Sequence, residues 1–392
     1  MYYITVKASP KYHQMTLEEL IYQQTITPVY IDNETNTLTY ARKEISEHFL
    51  AGFDCERLIK MLKQFNSDTE YIRRRPRKYF WKTYYIPKDS GGLRRIDDPS
   101  EEMRGALDRL KDMIERDFYS PIANGIRPAY YHTSAFAYVK RRRPRDAVKR
   151  HVDNESRWYS HLDISNFFGS TTLNYAMKML SMIFPFCEVC KSQEGRYELR
   201  KAIELGFLNG VLPQGSSLSP TLTNILMIPI DYSLSKALRS FSGASAGRQR
   251  YIYTRYCDDI IISSRYSYEI RGIERLVIST MRSFGAPYTL KTEKMHYGSN
   301  AGQNFILGMM VNKDNKITIG HKNKKRFHAM LDSFIRDTLN GKHWDRNDIQ
   351  VMDGLRSYYV SIEGDTIDGL VKFVGDKHGV DVRALIKKEL NR

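Results

Sequence analysis

The sequence is poor in cysteine and has no long apolar run. Four Cys occur among 392 residues, and no second Cys or His pair accompanies Cys187 and Cys190 at the spacing of a zinc finger. We therefore expect reduced, structural thiols rather than a disulfide framework or a zinc site. No apolar stretch approaches the ~20 residues that span a membrane, and the N-terminal segment lacks the pattern of a signal peptide. These absences predict a cytoplasmic protein without a membrane partner.

The chain carries a large positive charge that is concentrated in three basic runs. Lys and Arg number 61 against 45 Asp and Glu, which gives a formal net charge of +16. Solvated faces would explain scattered charges, but clustering beside aromatic residues favours a polyanionic partner such as nucleic acid. The runs are Arg73, Arg74, Arg75, Arg77 and Lys78; Lys140, Arg141, Arg142, Arg143 and Arg145; and Lys322, Lys324, Lys325 and Arg326.

Local patterns predict an α+β fold with helical ends. The segment 80–100 has the pattern of a strand, a glycine turn and a second strand, and Ser100 has the position of a helix N-cap. Only helices are expected after residue 320. The other expected elements are helices over 16–66 and 218–241, a strand over 157–168, and hairpins over 249–264 and 305–320.

Three acids interrupt segments that otherwise have strand character. Asp258 and Asp259 lie in "YIYTRYCDDIIISS", where Asp alone would simply indicate a turn. Asp163 interrupts "WYSHLDISNFFGS" in the same way. Three uncompensated carboxylates at neighbouring strand ends would repel one another, and divalent cations would relieve that repulsion. Carboxylate oxygens are the ligands that Mg2+ prefers, so these acids predict a magnesium site.

A turn between these acids predicts a ligand-positioning loop. It lies in "GVLPQGSSLSPTLTN", where Gly215 lets backbone approach a ligand closely and Gln214 offers an amide to a sugar or base. Taken alone, the segment is an ordinary junction between a loop and a helix. Together with the acids, it favours a nucleotide site.

Six segments in order resemble the motifs of the reverse transcriptase family. They are "IPKDSGGLRRI", "LDISNFF", "LPQGSSLSP", "YCDD", "LKTEKM" and "FILGMMVN". The resemblance implies a right-hand polymerase with fingers, a palm of antiparallel sheet backed by helices, and a helical thumb. The implied domains are a helical extension over 1–70, fingers over 71–162, a palm with an interleaved fingers segment over 163–319, and a thumb over 320–392.

The resemblance implies RNA-directed DNA polymerisation at two Mg2+ ions, with Mn2+ as the alternative ion. Asp163 and Asp258 would be the principal metal ligands, with Asp259 closer to the primer end and the carbonyl of Ile164 completing a coordination sphere. Lys294 would protonate the leaving pyrophosphate, although a surface lysine is an equal alternative.

The resemblance also implies a set of substrate contacts. Lys88 and Arg94 would clamp the triphosphate, with Arg95 as the substitute for Arg94. Phe168 would exclude a ribose 2′-hydroxyl. The remaining implied contacts with the nucleotide or primer are Gln214, Gly215, Tyr256 and Cys257.

The implied lineage is bacterial and close to retron, group II intron and defence-associated reverse transcriptases. "DAVKRH" and "ILG" depart from the retron pattern and favour the defence-associated group. The implied partners are an RNA template, nascent DNA and deoxynucleoside triphosphates. A dedicated non-coding RNA, an accessory protein and an oligomer remain open.

Other functions remain alternatives to this one. An RNA-dependent RNA polymerase could use the same scaffold, but the bulky Phe168 favours deoxynucleotides. Template-independent or protein-primed synthesis is a narrower alternative, and the 27 Tyr leave a priming hydroxyl open. A non-catalytic RNA-binding scaffold is disfavoured because all three acids are present.

Overall fold

The computed structural model describes residues 29–31, 38–40, 54–88, 91–118, 131–240, 251–302 and 305–392. The strands are β1 Val29–Ile31, β2 Leu38–Tyr40, β3 Trp81–Pro87, β4 Leu93–Pro99, β5 Trp158–Asp163, β6 Tyr251–Tyr256, β7 Asp259–Ser264, β8 His296–Ser299, β9 Phe305–Ile306, β10 Met309–Val311 and β11 Ile317–Thr318.

Helices provide most of the remaining regular structure. They are α1 Cys55–Asp68, α2 Glu70–Arg73, α3 Glu101–Asp112, α4 Pro144–Asp153, α5 Phe167–Ser170, α6 Leu173–Leu180, α7 Phe186–Val189, α8 Gln193–Glu204, α9 Leu218–Leu226, α10 Ile228–Ser240, α11 Ile270–Ser283, α12 His321–Leu339, α13 Arg346–His378 and α14 Val382–Leu390. Single turns of other helix types occupy Arg77–Tyr79, Met113–Phe118 and Thr292–Lys294.

The central sheet has the strand order β6-β7-β5-β8, so the hairpin of β6 and β7 lies beside β5. Strands β3 and β4 form a separate antiparallel pair in which Trp81 lies opposite Pro99 and Pro87 lies opposite Leu93. Strands β11, β10 and β9 form a small antiparallel sheet in that order. The mixture of helices and antiparallel strands confirms the predicted α+β class.

The chain divides into two compact units. The described residues of 1–142, 161–262 and 269–296 form the first unit, and 143–160, 263–268 and 297–392 form the second. The core of the first unit is apolar: Leu162, Ile260, Ile261 and Leu222 are all buried. The predicted division into extension, fingers, palm and thumb remains a prediction.

A buried polar cluster supports the second unit. His151 on α4 lies with Nδ1 2.6 Å from the Ser263 hydroxyl, which donates to the hydroxyl of Ser156 at 2.8 Å. Burial lowers the pKa of His151 to about 3, so the imidazole is neutral in the folded protein.

A break in α13 anchors the small sheet in the same unit. Glu363 has non-helical backbone angles, and its carboxylate accepts hydrogen bonds from the Thr318 hydroxyl at 2.8 Å and the Ile319 amide at 2.7 Å. Lys324 on α12 pairs with the other carboxylate oxygen at 2.7 Å. The carboxylate of the residue at the kink therefore ties α13 to the small sheet and to α12.

Several local predictions are confirmed. The strands at 81–87 and 93–99 follow the expected pattern, and the Ser100 side chain accepts from the Met103 amide as an N-cap. Both hairpins and the C-terminal helices are present.

Three predicted elements need correction. The strand expected over 157–168 ends at Asp163, because Asn166 takes a left-handed conformation and α5 follows. The single helix expected over 218–241 is wrong: it breaks at Met227, and Pro229 occupies the first turn of α10, where a missing amide hydrogen is tolerated. Strands β1 and β2 lie within the segment expected to be helical over 16–66, and the rest of that segment before residue 54 lies outside the described residues.

Two further observations concern thiols and membranes. All four cysteines are free, and burial raises the pKa of Cys187 to about 12 and of Cys190 to about 11. No helix in the described part of the chain is both long and apolar enough to cross a membrane.

Candidate active site

The turn between β6 and β7 carries the acid pair. Cys257 occupies the left-handed region with φ of 60°, so the chain reverses and Asp259 begins β7. The amide of Ile164 donates to the carbonyl of Asp258 at 3.0 Å. Because Asp163 immediately precedes Ile164, this bond brings the ends of two acid-bearing strands together.

Two of the three carboxylates have basic partners. Asp163 Oδ1 lies 2.6 Å from Lys291 Nζ, and the carboxylate is largely buried. Asp259 Oδ1 lies 3.0 Å from His161 Nε2. This hydrogen bond raises the pKa of His161 against the opposing effect of its burial, which favours an imidazolium that balances Asp259.

Asp258 experiences the repulsion that the sequence predicts. Burial raises its pKa, and the charges of Asp259 and Asp163 raise it further. Asp258 therefore lies close enough to both acids for their negative charges to disfavour its own. Lys291 pairs with Asp163 and His161 pairs with Asp259, whereas a divalent cation could neutralise the charge of Asp258 as well.

The donor chemistry of this site fits Mg2+, which binds hard oxygen ligands. Among the described residues, no three Asp, Glu, His or Cys side chains already converge as a metal-binding cluster. Lys291 instead occupies one oxygen of Asp163. The side chains here that could hold a metal are those of Asp163 and Asp258, with Asp259 next to Asp258 in sequence.

The structure distinguishes two lysines of the segment "LKTEKM". Lys291 contacts Asp163 through both its ammonium group and its backbone amide, the latter at 2.8 Å from the Asp163 carbonyl. Lys294 ends the turn Thr292–Lys294 and is exposed. The lysine beside the carboxylate is therefore not the one that sequence reasoning selected.

The loop before α9 is fixed to β4 by its backbone. The amide of Asp97 donates to the carbonyl of Gln214 at 2.7 Å. Gly215 has φ of 123°, and a Cβ atom there would lie 2.5 Å from the Asp97 carbonyl oxygen. Gly215 therefore permits close approach to β4, whereas the sequence predicted close approach to a ligand. The side chain of Gln214 is half-buried.

The β3–β4 hairpin separates the three cations predicted to bind triphosphate. Arg95 is held within its own strand, with Nε 2.9 Å from Asp97 Oδ1, and the Thr83 hydroxyl donates to the same oxygen at 2.7 Å. Lys88 and Arg94 are exposed near the turn. Arg94 and Arg95 point to opposite faces because strand side chains alternate. Arg94 is thus the more available of the two arginines.

Phe168 lies on the short helix that follows Asp163. It is half-buried, and its ring centroid is 5.7 Å from that of Phe167. Phe167 is buried and packs on Tyr288 with centroids 5.0 Å apart. The ring of Phe168 therefore packs against a buried aromatic ring. Tyr256 is half-buried at the end of β6, next to the acid turn.

A family model described as "Reverse transcriptase (RNA-dependent DNA polymerase)" matches residues 86–318, more than half of the chain. This chain belongs to the reverse transcriptase family. It is therefore an RNA-directed DNA polymerase by family, a nucleotidyltransferase with the reverse transcriptase fold.

The relatives of this reverse transcriptase include bacterial retron enzymes. The retron Ec73 reverse transcriptase of Escherichia coli is 27% identical over 262 residues, which cover 64% of this chain and 75% of that protein. The retron Ec83 reverse transcriptase of the same organism is 24% identical over 319 residues, which cover 78% and 90%. Candida albicans telomerase, solved with a fragment of telomeric RNA, matches with a TM-score of 0.42 at 14% identity, over 75% of this chain and 55% of that one. The chain thus spans about half the length of that telomerase.

Part of the first basic run of this reverse transcriptase is structural. Arg73 donates to the carbonyl of Lys201 at 2.9 Å, and Arg77 donates to those of Glu204 and Leu205 at 3.2 and 3.1 Å. Both arginines therefore satisfy carbonyl groups at the C-terminal end of α8. Sequence clustering alone did not separate these two from their neighbours.

The other two runs also contain a structural member each. Arg142 donates to the carbonyl of His132 at 2.8 Å and lies 5.6 Å from the ring of Phe136. Lys324 pairs with Glu363. The remaining cations of the three runs are exposed, and they are Arg74, Arg75, Lys78, Lys140, Arg141, Arg143, Arg145, Lys322, Lys325 and Arg326.

Sequence reasoning missed His161 and Lys291 as partners of the acids. His161 lies two residues before Asp163 on the alternating strand β5, which is a usable signal, since residues two apart share a face of a strand. Lys291 lies 128 positions from Asp163, so only the pairing between distant segments identifies it.

Proposed function

We propose that this reverse transcriptase adds deoxynucleotides to a primer 3′-hydroxyl at a two-metal centre built on Asp163 and Asp258. The observation that carries the proposal is the 3.0 Å backbone hydrogen bond between Ile164 and Asp258, which joins the two acid-bearing strand ends. Burial raises the pKa of Asp258 and the charges of its two acidic neighbours raise it further, and this repulsion favours cation binding at the acids.

Asp163 and Asp258 would hold two Mg2+ ions, or Mn2+ as a substitute, with the carbonyl of Ile164 as a further ligand. Bound there, the ions would activate the primer hydroxyl and neutralise the leaving pyrophosphate. Asp259 would lie nearer the primer end, balanced by His161. Lys291 would release Asp163 when metal binds.

The triphosphate would bind to Lys88 and Arg94. Their exposure at the β3–β4 turn supports this assignment, and the bond from Arg95 to Asp97 makes Arg95 the weaker substitute. Two exposed cations at the ends of neighbouring strands can neutralise phosphate charge and orient the nucleotide for in-line attack. Lys294 would approach the pyrophosphate as a proton donor.

Gln214 would contact the incoming nucleotide through its side-chain amide, since its backbone carbonyl is engaged by Asp97. Phe168 would lie against the sugar and exclude a 2′-hydroxyl. Tyr256 and Cys257 would pack beneath the primer terminus. These assignments rest on the family motifs and on the proximity of each residue in sequence to the acid turn or its loop.

Single-nucleotide extension of a primed RNA template tests the proposal. Asp163→Asn and Asp258→Asn should each abolish extension while the variants fold and bind RNA, because each loses a metal ligand. Asp314→Asn is the matched control, since Asp314 is an exposed acid on a hairpin turn. Extension at the wild-type rate by either active-site variant would disprove the two-metal assignment.

We further propose a cytoplasmic role in antiviral defence, with a dedicated non-coding RNA as template. The departures from the retron motifs support the defence role, and the relatives named as retron reverse transcriptases support a dedicated RNA template. Sequencing the nucleic acid that copurifies with wild type and with Asp258→Asn tests it. One RNA species is expected with both proteins, and its DNA copy with wild type only. A mixture of unrelated cellular RNAs would contradict a dedicated template.

A matched phage challenge tests the defence role separately. Phages should form fewer plaques on cells that express the wild type than on cells that express Asp258→Asn. Equal plaque numbers across a broad phage panel would argue for another cellular role while leaving the polymerase assignment intact.

A further inference from the structure

The largest fully buried side chain of the described residues belongs to Arg255, three positions before Asp258. Its guanidinium donates to Asp231 on α10, with Nε 2.9 Å from Oδ1 and Nη2 2.8 Å from Oδ2. The Tyr253 hydroxyl donates to the same carboxylate at 2.6 Å. Both charges of the pair are wholly removed from solvent.

The third guanidinium nitrogen connects two other parts of the first unit. Nη1 of Arg255 donates to the carbonyl of Cys257 at 3.0 Å and to Asn224 Oδ1 at 3.0 Å. Asn224 lies on α9, the helix that follows the loop of Gln214, and its amide donates to the carbonyl of Ala137 at 2.8 Å. One side chain thus joins the acid turn to that helix.

The burial of this ion pair is poorly explained by stability alone. Desolvating two charges offsets most of their attraction, and apolar residues of similar volume are often equally stable in such places. The contact to Cys257 offers a more specific reason. Cys257 holds a left-handed conformation that side-chain-bearing residues adopt only when neighbours enforce it.

We propose that Arg255 is a positioning residue that fixes the acid turn. By donating to the Cys257 carbonyl, it sets the orientation of Asp258. By donating to Asn224, it also fixes the position of the acid turn relative to α9. The inference rests on the proposed function of Asp258 as a metal ligand. Groups that orient metal ligands from behind affect metal affinity as well as rate.

The test compares Arg255→Lys with Tyr253→Phe. Lysine can still pair with Asp231, but one ammonium cannot also reach Cys257 and Asn224 as the guanidinium fork does. Tyr253→Phe removes a bond of the same buried carboxylate and leaves the Cys257 contact intact. Mn2+ binding to the protein without nucleic acid, followed by electron paramagnetic resonance, gives a readout that does not depend on turnover.

Arg255→Lys should bind Mn2+ about tenfold more weakly and show a kcat about tenfold lower, with KM for the nucleotide within about twofold of wild type. Tyr253→Phe should have a lower melting temperature than wild type, but its Mn2+ affinity should lie within about twofold of the wild-type value. Wild-type Mn2+ affinity in Arg255→Lys would overturn the proposal. Equal losses of affinity in the two variants would also overturn it, because they would indicate general destabilisation.

Asn224→Leu gives an independent measurement if Arg255→Lys does not fold. It removes one acceptor of Arg255 without altering the ion pair, and Mn2+ affinity should fall about threefold. Unchanged affinity would overturn the positioning role. Asp258→Asn separates the two proposals: if it binds Mn2+ as wild type does, the metal site fails and the positioning role fails with it. If it loses Mn2+ while Arg255→Lys does not, only the positioning role fails.

Discussion

Lys291 holds Asp163 at two points, through a 2.6 Å contact between Nζ and Oδ1 and a 2.8 Å bond between its amide and the Asp163 carbonyl. The side chains of both residues are mostly buried. The ammonium group therefore neutralises a carboxylate that would otherwise face two like charges. A cation that binds Asp163 has to compete with it.

This competition predicts that Lys291→Met strengthens metal binding to the free enzyme. The contact is worth roughly 1 kcal/mol, so Mn2+ affinity should rise about fivefold. Lys294→Met is the matched control and should leave Mn2+ affinity unchanged, since Lys294 is exposed. Titration followed by electron paramagnetic resonance measures both. Unchanged or weaker affinity in Lys291→Met would show that the lysine does not compete for the site.

The packing of Phe168 predicts its effect on sugar choice. Overpacking a fixed site costs roughly 1–3 kcal/mol, which corresponds to about 5- to 140-fold discrimination. Phe168→Ala should retain primer extension and begin to accept ribonucleotides, whereas Phe168→Tyr should remain selective. Single-nucleotide extension with matched deoxy- and ribonucleoside triphosphates measures this.

Two results would change the interpretation of Phe168. Equal use of both sugars by the wild type would favour an RNA polymerase activity. Undiminished discrimination in Phe168→Ala would leave the enzyme class intact and assign the selectivity to another residue.

The first basic run contains both exposed cations and arginines bonded to α8, and only the exposed ones are expected to bind phosphate. Replacing the exposed Arg74, Arg75 and Lys78 together by Gln should reduce the slope of log affinity against log salt by up to about 2–3 units, at ~0.7–0.9 per phosphate contact. Arg73→Gln and Arg77→Gln should lower the melting temperature and leave the slope nearly unchanged, because these side chains bind the end of α8. Fluorescence anisotropy with a labelled RNA hairpin over about 50–200 mM salt measures the slope. An identical slope for the triple variant would mean that these charges do not contact nucleic acid.

The buried His151 predicts a loss of stability at mildly acidic pH. Its pKa in the folded protein is about 3, below the ordinary value of 6.5, so the unfolded chain binds more protons between these values. Its contribution is complete above pH 6.5 and is lost progressively as the pH falls toward 3. Lowering the pH from about 7.5 to 5 should cost about 2 kcal/mol through this residue.

Urea melts of His151→Gln at the two pH values test this contribution. The variant should be less stable at pH 7.5 because it loses a packed ring, but its stability should depend less on pH. His296→Gln, which changes an exposed histidine, should retain the wild-type dependence. A pH dependence in His151→Gln equal to that of the wild type would contradict the assignment.

The sequence predicts the elements that depend on local patterns. Asp163, Asp258 and Asp259 are conspicuous because a charge inside a strand conflicts with its neighbours, and Ser100 has the local geometry of an N-cap. The break at Met227 was missed because both halves of the segment have the same helical pattern.

Partners that lie far apart in sequence could not be predicted in this way. Arg73 and Arg77 look like their exposed neighbours until α8 is placed beside them, and their targets are backbone carbonyl groups without a residue signature. Arg255 and Asp231 are 24 positions apart, and nothing in either local pattern indicates that both are buried. Side-chain burial depends on packing that a single sequence does not display.

The close approach of Gly215 to Asp97 limits how the enzyme can be engineered. Two backbones meet there without an intervening side chain. A Cβ atom at 215 would clash with the Asp97 carbonyl, so any substitution would force the loop away from β4. Libraries aimed at altered nucleotide preference should keep Gly215 fixed and vary Gln214, whose link to β4 runs through its main chain and survives a change of side chain. The proposed nucleotide contact and the attachment of the loop thus belong to adjacent residues, of which Gln214 can be varied while Gly215 cannot.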